Sequence, residues 1–210
     1  MKKESGILKD AAILLVITIF SGLILGFVYQ ITKEPIALAE ERAAKEAYSE
    51  VFPSALEFEL SEEFSPESLS EDAGWLEAGF DGVSIENVLK ALDKDGSLLG
   101  YVLTVTSHEG YGGDITFTMG IANDKTLNGI SILSISETAG LGMKAEEVLK
   151  PQFADKNVSV FTYTKTGAVS DDQIDAISGA TITTRALTNA VNGGLYFFQT
   201  QLGGDGNEAE

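Results

Sequence analysis

The sequence predicts an α+β protein: an N-terminal transmembrane helix followed by a largely antiparallel β-sheet domain with packed helices. Three observations predict it. Ala11 to Tyr29 is an uncharged run of 19 residues, AAILLVITIFSGLILGFVY, and a helix needs about 20 apolar residues to cross a bilayer. Residues 84–136 break into four short β-like runs separated by turn residues. Residues 182–199 place Leu187, Ala190, Val191, Leu195 and Phe198 on one face of a helix.

Taken in order, residues 1–10 are polar and carry Lys2, Lys3 and Lys9. The span follows at 11–31. A cleaved signal peptide is the rival reading, with Ala37-Leu-Ala39 as its cleavage site. Signal h-regions run about 7–15 residues. This run is longer, and Lys33 and Glu34 separate it from that site, so a retained anchor is expected. The clustered lysines put the N-terminus in the cytoplasm and the bulk of the chain outside. Gly22 and Gly26 form a G-x-x-x-G pair, read either as a packing face for another membrane helix or as ordinary composition.

Residues 32–53 are expected to form a juxtamembrane helix. Pro35 marks the exit from the membrane, Ile36–Val51 has helical spacing, and Phe52-Pro53 ends it. The main domain is expected over 54–202. Residues 56–82 have no Lys or Arg between Glu57 and Asp81, and such a run is usually a solvated face. Trp75 and Phe80 within it read as core anchors. Strands are expected over 84–92 and 98–106, joined by Asp93-Lys-Asp-Gly96, since Asp-Gly is a hairpin cue. Gly110-Tyr-Gly-Gly113 bends the chain, and strands follow over 114–122 and 129–136. Helices are expected to one side of this meander. A short helix over 145–150 stops at Pro151, 158–165 is a further β-run, and 203–210 is a flexible acidic tail.

Composition narrows the function. The net charge of −18 excludes nucleic acid as a partner. The absence of cysteine removes disulfides, Cys-ligated metals and thiol nucleophiles. A single histidine, His108, rules out a histidine-rich metal centre and reads as a solvated loop residue, so no metal site is expected. No G-x-S-x-G elbow and no G-x-G-x-x-G after a strand are present, which disfavours a hydrolase and an NAD site.

Two stretches carry the chemistry. In Asp175-Ala-Ile-Ser-Gly-Ala-Thr-Ile-Thr183, a strand-like run turns into the final helix through small and hydroxyl residues. Two readings stand at this point. Ser or Thr here is the ordinary way to cap a helix. Alternatively, Ser178, Gly179, Ala180, Thr181, Thr183 and Thr184 let a phosphate approach the unpaired N–H groups of the first turn. The second stretch is Glu137-Thr-Ala-Gly-Leu-Gly142, then Met143-Lys144. Its local reading is a strand-to-helix connection. Gly140 and Gly142 also let the loop lie flat against a ring. Leu141 offers apolar surface, and Glu137 and Thr138 can hydrogen-bond a polar edge.

The Thr183 stretch resembles the flavinylation motif of the FMN-binding domain family. That family includes the G subunit of the Rnf electron-transport complex and the C subunit of the sodium-translocating NADH:quinone reductase. Gly-Tyr-Gly-Gly and Glu-Thr-Ala-Gly-Leu-Gly occur in the family's order, with Ala139 where the family commonly has Pro. The resemblance covers about residues 8–200. It implies FMN held covalently through its phosphate on Thr183, with Ser178, Gly179, Ala180, Thr181 and Thr184 around it, and Glu137, Thr138, Gly140, Leu141, Gly142 and Lys144 near the ring. Arg185 is a further, weaker helper, and Asp175 fixes the turn or positions the motif. Lys144 would stabilise a reduced flavin's negative charge, and Glu137 would oppose it unless hydrogen-bonded.

The implied function is that of a redox subunit rather than a complete enzyme. It is a membrane-anchored flavoprotein relaying electrons within an ion-translocating ferredoxin:NAD oxidoreductase. Its implied partners are other membrane subunits, and a flavin transferase during maturation. The alternatives are a quinone-reductase-type or stand-alone flavin carrier and, from another class, a non-redox binding module in which the Thr183 stretch only caps a helix.

Overall fold

The computed structural model describes residues 4–61 and 73–202. Much of the acidic run, at 62–72, and the acidic tail at 203–210 lie outside the described residues. The chain divides into two compact units, Met1–Ala43 and Ala44–Glu210.

The first unit is formed by helix α1 (Glu4–Val51), whose last turns belong to the second. Its stretch Gly6–Val51 is long and apolar enough to cross a membrane, with a mean hydropathy of 2.7 in its most apolar window. Leu14, Leu15, Val16 and Ile17 are all exposed. Four successive positions go once around a helix, so this one is apolar on every side and suited to lipid. The hydroxyls of Thr18 and Thr32 donate to Leu14 O and Val28 O at 2.8 and 3.0 Å. Pro35 lies inside α1 and does not end it, contrary to the expected break. Proline costs a helix one N–H bond. Ala37-Leu-Ala-Glu-Glu-Arg-Ala-Ala-Lys-Glu46, all strong helix formers, carry the helix past that defect.

The second unit is built on a five-stranded antiparallel meander in sequence order. Its strands are β1 (Glu57–Leu60), β2 (Val83–Leu92), β3 (Leu98–Ser107), β4 (Ile115–Ala122) and β5 (Leu127–Ile135). The four expected strands form within two residues of their expected ends. β1 and the short helix α2 (Ala73–Glu77) arise in the acidic region where none was expected. The β2–β3 turn closes as its Asp-Gly predicts: the Asp93 carboxylate accepts the N–H groups of Asp95 and Ser97 at 2.8 and 2.9 Å. Beyond the sheet come α3 (Ala145–Val148), the parallel pair β6 (Thr162–Thr164) and β7 (Gln173–Asp175), and helix α4 (Thr181–Phe197).

Alternation along the strands gives the sheet two apolar faces, and both are covered. On one face, Ile85, Leu103, Val105, Phe117, Met119 and Ile130 meet Ala186, Leu187, Ala190, Val191 and Leu195 of α4. A Cβ on Gly194 would lie 2.1 Å from Met119 Sδ, so the helix sits as close as a bare backbone allows. Trp75 and Phe80 pack at the same layer, as their sequence position suggested, against each other and Tyr196. On the opposite face, Ala91 and Val102 are covered by Val51 and Phe52 at the end of α1. Helices therefore flank both faces rather than one, because the second face is also apolar and must leave water.

Polar contacts fix that α1 terminus. Asn128 Nδ2 donates to Val51 O at 3.0 Å. Lys150 Nζ pairs with Glu50 at 2.8 Å and with Glu146, and the Ser131 hydroxyl donates to Glu50. Burial pushes the Glu50 carboxyl up, but hydrogen bonds from Lys150 and Ser131 and the Lys150 charge outweigh it and hold it below the ordinary value. Burial likewise pulls Lys150 down, and its hydrogen bonds to Glu146 and Glu50 raise it above the ordinary lysine value.

Candidate functional site

Three segments converge on a cleft of about 480 Å³ lined by the loops after β3, after β5 and after β7. The first brings Tyr111, the second Glu137, Thr138, Leu141 and Gly142, and the third Gly179, Ala180, Thr181, Ile182 and Thr183. Its size lies in the range of small-molecule sites, about 300–1,000 Å³.

The segment after β7 is held in shape from within and from outside. Thr184 is fully buried; its hydroxyl accepts Ile177 N–H at 3.1 Å and donates to Ala180 O at 3.0 Å. Ala180 N–H returns to Ile177 O, and Gly179 takes a φ of +80°, which closes the turn at little cost only for glycine. The Asp175 carboxylate accepts Ala168 N–H at 2.6 Å, so this residue fixes the loop before it. Gln152 clamps the Asp175 backbone, accepting its N–H at 2.7 Å and donating to its carbonyl at 3.1 Å.

The cap reading is not what forms. The N-cap position of α4 is Ala180, and no side chain caps the helix. Thr181 is its first residue, not its cap. Among the described residues no protein acceptor meets the N–H groups of Thr181, Ile182 and Thr183. These are orphan donors of a 17-residue helix at the wall of the cleft.

Thr183 differs from its neighbours. It is 1% exposed, yet its hydroxyl makes no hydrogen bond to protein among the described residues. The buried Thr184 and Thr188 hydroxyls both bond backbone carbonyls. A buried hydroxyl ordinarily finds a partner; this one opens on the cleft instead.

The segment after β5 is a tight turn in which Thr138 O accepts the N–H groups of Leu141 and Met143 at 3.1 and 3.3 Å. Gly142 is buried between Glu137 and Thr183. A Cβ there would meet Glu137 Cβ and Thr183 Oγ1 both at 2.7 Å, and Glu137 Oε2 at 2.8 Å. Glu137 Oε1 accepts Tyr111 N–H at 2.8 Å, which joins the first loop to the second. Tyr111 is 69% exposed at the edge of the cleft. His108, 49% exposed, bridges Asp114 and Ser84 at the base of that loop through Nδ1 and Nε2 at 3.1 and 3.2 Å.

Most of the expected site residues thus come together, and five, counting the weaker helper Arg185, do not line the cleft. Thr184 faces inward and staples the turn. Ser178 and Gly140 are exposed beside it. Lys144 is exposed and outside the lining, so Glu137 is the only charged side chain on the cleft wall among the described residues. Arg185 points to a neighbouring groove with Glu109, Tyr163 and Asn189. Sequence reasoning missed Tyr111 and Ile182 as lining residues. An aromatic ring between glycines was the available signal for the first. Ile182 gave none, because an isoleucine in an amphipathic helix reads as core.

Comparison with known proteins matches both units. The FMN-binding domain family matches residues 110–195, from the Tyr111 loop into α4. The RnfG N-terminal region matches residues 1–51, ending with α1. The G subunit of the ion-translocating oxidoreductase complex of Methanosarcina acetivorans is 30% identical over 205 residues, covering 97% of this chain and 100% of the relative. The G subunit of the Na(+)-translocating ferredoxin:NAD(+) oxidoreductase complex of Acetobacterium woodii is 30% identical over 200 residues, covering 92% of each. Among solved structures, Shewanella oneidensis NqrC is similar over 54% of this chain and 58% of its own, with 22% identity and a TM-score of 0.46.

Proposed function

Since the chain belongs to the family of G subunits of ion-translocating oxidoreductase complexes, we propose that it is the flavoprotein component of such a complex and carries FMN as a phosphoester on Thr183. It crosses the membrane once, through residues 11–31, and relays electrons to and from neighbouring subunits of the complex. Lys2, Lys3 and Lys9 lie on the cytoplasmic side, and the domain over 54–202 lies outside. A flavin transferase attaches the cofactor during maturation.

The residues of the cleft fit this group. Leu141, Ile182 and Tyr111 supply apolar surface for the ring, and Glu137 and Thr138 supply polar contacts at its edge. The unpaired N–H groups of Thr181 to Thr183 suit a phosphate. Bound FMN supplies the electron uptake and release, and the protein sets its position and surroundings. A covalent bond keeps the cofactor from dilution outside the cell.

The observation that carries the reading is the Thr183 hydroxyl: on a buried residue, unbonded to protein among the described residues, and at the wall of the cleft. Intact-mass analysis of the full chain, produced with a flavin transferase and beside Thr183→Ala, tests it. The expected result is a gain equal to FMN less water in the wild type and none in the variant. Wild-type protein that stays unmodified beside a transferase active on another substrate would overturn the covalent assignment.

A further inference from the structure

Phosphoester formation on an alcohol needs three things: a hydroxyl, a group to take its proton, and donors for the phosphoryl oxygens. The cleft holds all three on this chain. Thr183 supplies the hydroxyl, and the N–H groups of Thr181 to Thr183, without a protein acceptor among the described residues, can hold the oxygens. We propose that Glu137 is the proton acceptor for Thr183 when flavin is attached, so that the chain contributes its own base to its modification. This rests on the reading of Thr183 as the attachment residue.

The geometry is specific. Gly142 lies between the two side chains: Glu137 Oε2 and Thr183 Oγ1 are 2.8 and 2.7 Å from the point its Cβ would occupy. Among the described residues no hydrogen bond joins the two groups. Both lie within hydrogen-bonding distance of one point, so the two oxygens are no more than about 5.5 Å apart, a gap that one bridging water can span. The carboxylate is held rather than loose. Its Oε1 accepts Tyr111 N–H at 2.8 Å, which fixes the carboxylate and leaves Oε2 without a protein donor among the described residues. Among the described residues no lysine, arginine or histidine forms an ion pair with Glu137.

The step balances with one co-reactant, a flavin phosphoanhydride such as a flavin dinucleotide. The Thr183 O–H proton passes to Glu137 as the Oγ–P bond forms. The bond between the flavin phosphorus and the bridging oxygen breaks, and its electron pair leaves with the departing nucleoside phosphate. Glu137 then returns the proton to solvent. No electron is gained or lost by either partner.

The test uses the full chain in detergent micelles with a flavin transferase and flavin dinucleotide. Initial rates of covalent flavin fluorescence are read on denaturing gels for wild type, Glu137→Gln, Glu137→Ala and Thr183→Ala, with thermal melts of each. Loss of a general base costs about 10²–10⁴-fold, so Glu137→Gln is expected to be at least about 100-fold slower. Sodium formate is expected to restore Glu137→Ala in proportion to its concentration, which a purely structural role does not allow. A Glu137→Gln rate within a few-fold of wild type overturns the proposal and leaves Thr183 as the attachment residue. Slow variants that formate does not rescue also overturn it. A wild type that never becomes labelled refutes the attachment reading itself.

Discussion

Gly142→Ala isolates the closeness of the two loops from the general stability of the domain. The added methyl meets Glu137 Cβ and Thr183 Oγ1 at 2.7 Å. Non-bonded carbons settle at about 3.5–4.0 Å, so the loop carrying Gly142 and the first turn of α4 must part by about 1 Å. Overpacking of this kind costs about 1–3 kcal/mol of folding stability. A misplacement of about 1 Å at a reacting group costs about 100-fold in rate. The variant is therefore expected to fold, with a lowered melting temperature, and to take up covalent flavin about two orders of magnitude more slowly. Gly140→Ala is the control. Gly140 has a φ of +78° and nothing within 4 Å of its Cβ position, so alanine there brings backbone strain without obstruction. It is expected to lose about 1 kcal/mol and keep near wild-type labelling. The assay is covalent flavin fluorescence against time beside a thermal melt. Equal labelling rates for the two variants would falsify the account of Gly142 as a spacer.

Further expectations follow from other contacts. Thr184→Val removes the hydroxyl that serves Ile177 N–H and Ala180 O, and leaving a buried donor unmet costs about 1–3 kcal/mol; a denaturant melt of the full chain measures it, and an unchanged midpoint counts against the staple. Lys144→Gln is expected to leave flavin attachment unchanged, since Lys144 lies outside the cleft wall; a large drop in labelling would place its side chain in the site. Glu50 has a lowered folded-state value, so its contribution is present above the ordinary 4.5 and is lost as pH falls through that lowered value. The stability gap between wild type and Glu50→Gln is therefore expected to be small at neutral pH, under about 1 kcal/mol for so exposed a carboxylate, and to vanish in acid. Melts across pH 3–8 check this, and a gap that grows in acid contradicts the sign.

The sequence was most legible where pattern and turn chemistry agreed. β2 to β5 follow from alternation and from Asp93-Gly96, and α4 from its apolar spacing. β1 escaped because a four-residue edge strand within an acidic run offers only Phe58 to the core. Pro35 misled because a strong local rule met a longer stretch of helix formers. At the cleft, the two loops were legible as motifs but their meeting was not. Nothing in the spacing of Gly142 and Thr183 says that one lies against the other. Thr183 and Thr184 are chemically alike and adjacent. About 100° of helix rotation, visible only in the fold, sends one hydroxyl to the cleft and the other into the turn.

The contacts that shape the Thr183 turn come from far along the chain. Gln152 grips Asp175 from 23 residues away, and Gly142 presses on Thr183 from another loop. A short peptide containing only residues 175–184 has the letters of the motif without the shape. Whatever modifies Thr183 by that shape must wait until the domain is assembled. If Thr183 carries the cofactor as proposed, the cleft is a checkpoint in the protein's biogenesis: a chain whose loops have not yet met lacks the shaped acceptor, and finished copies are the ones expected to receive FMN.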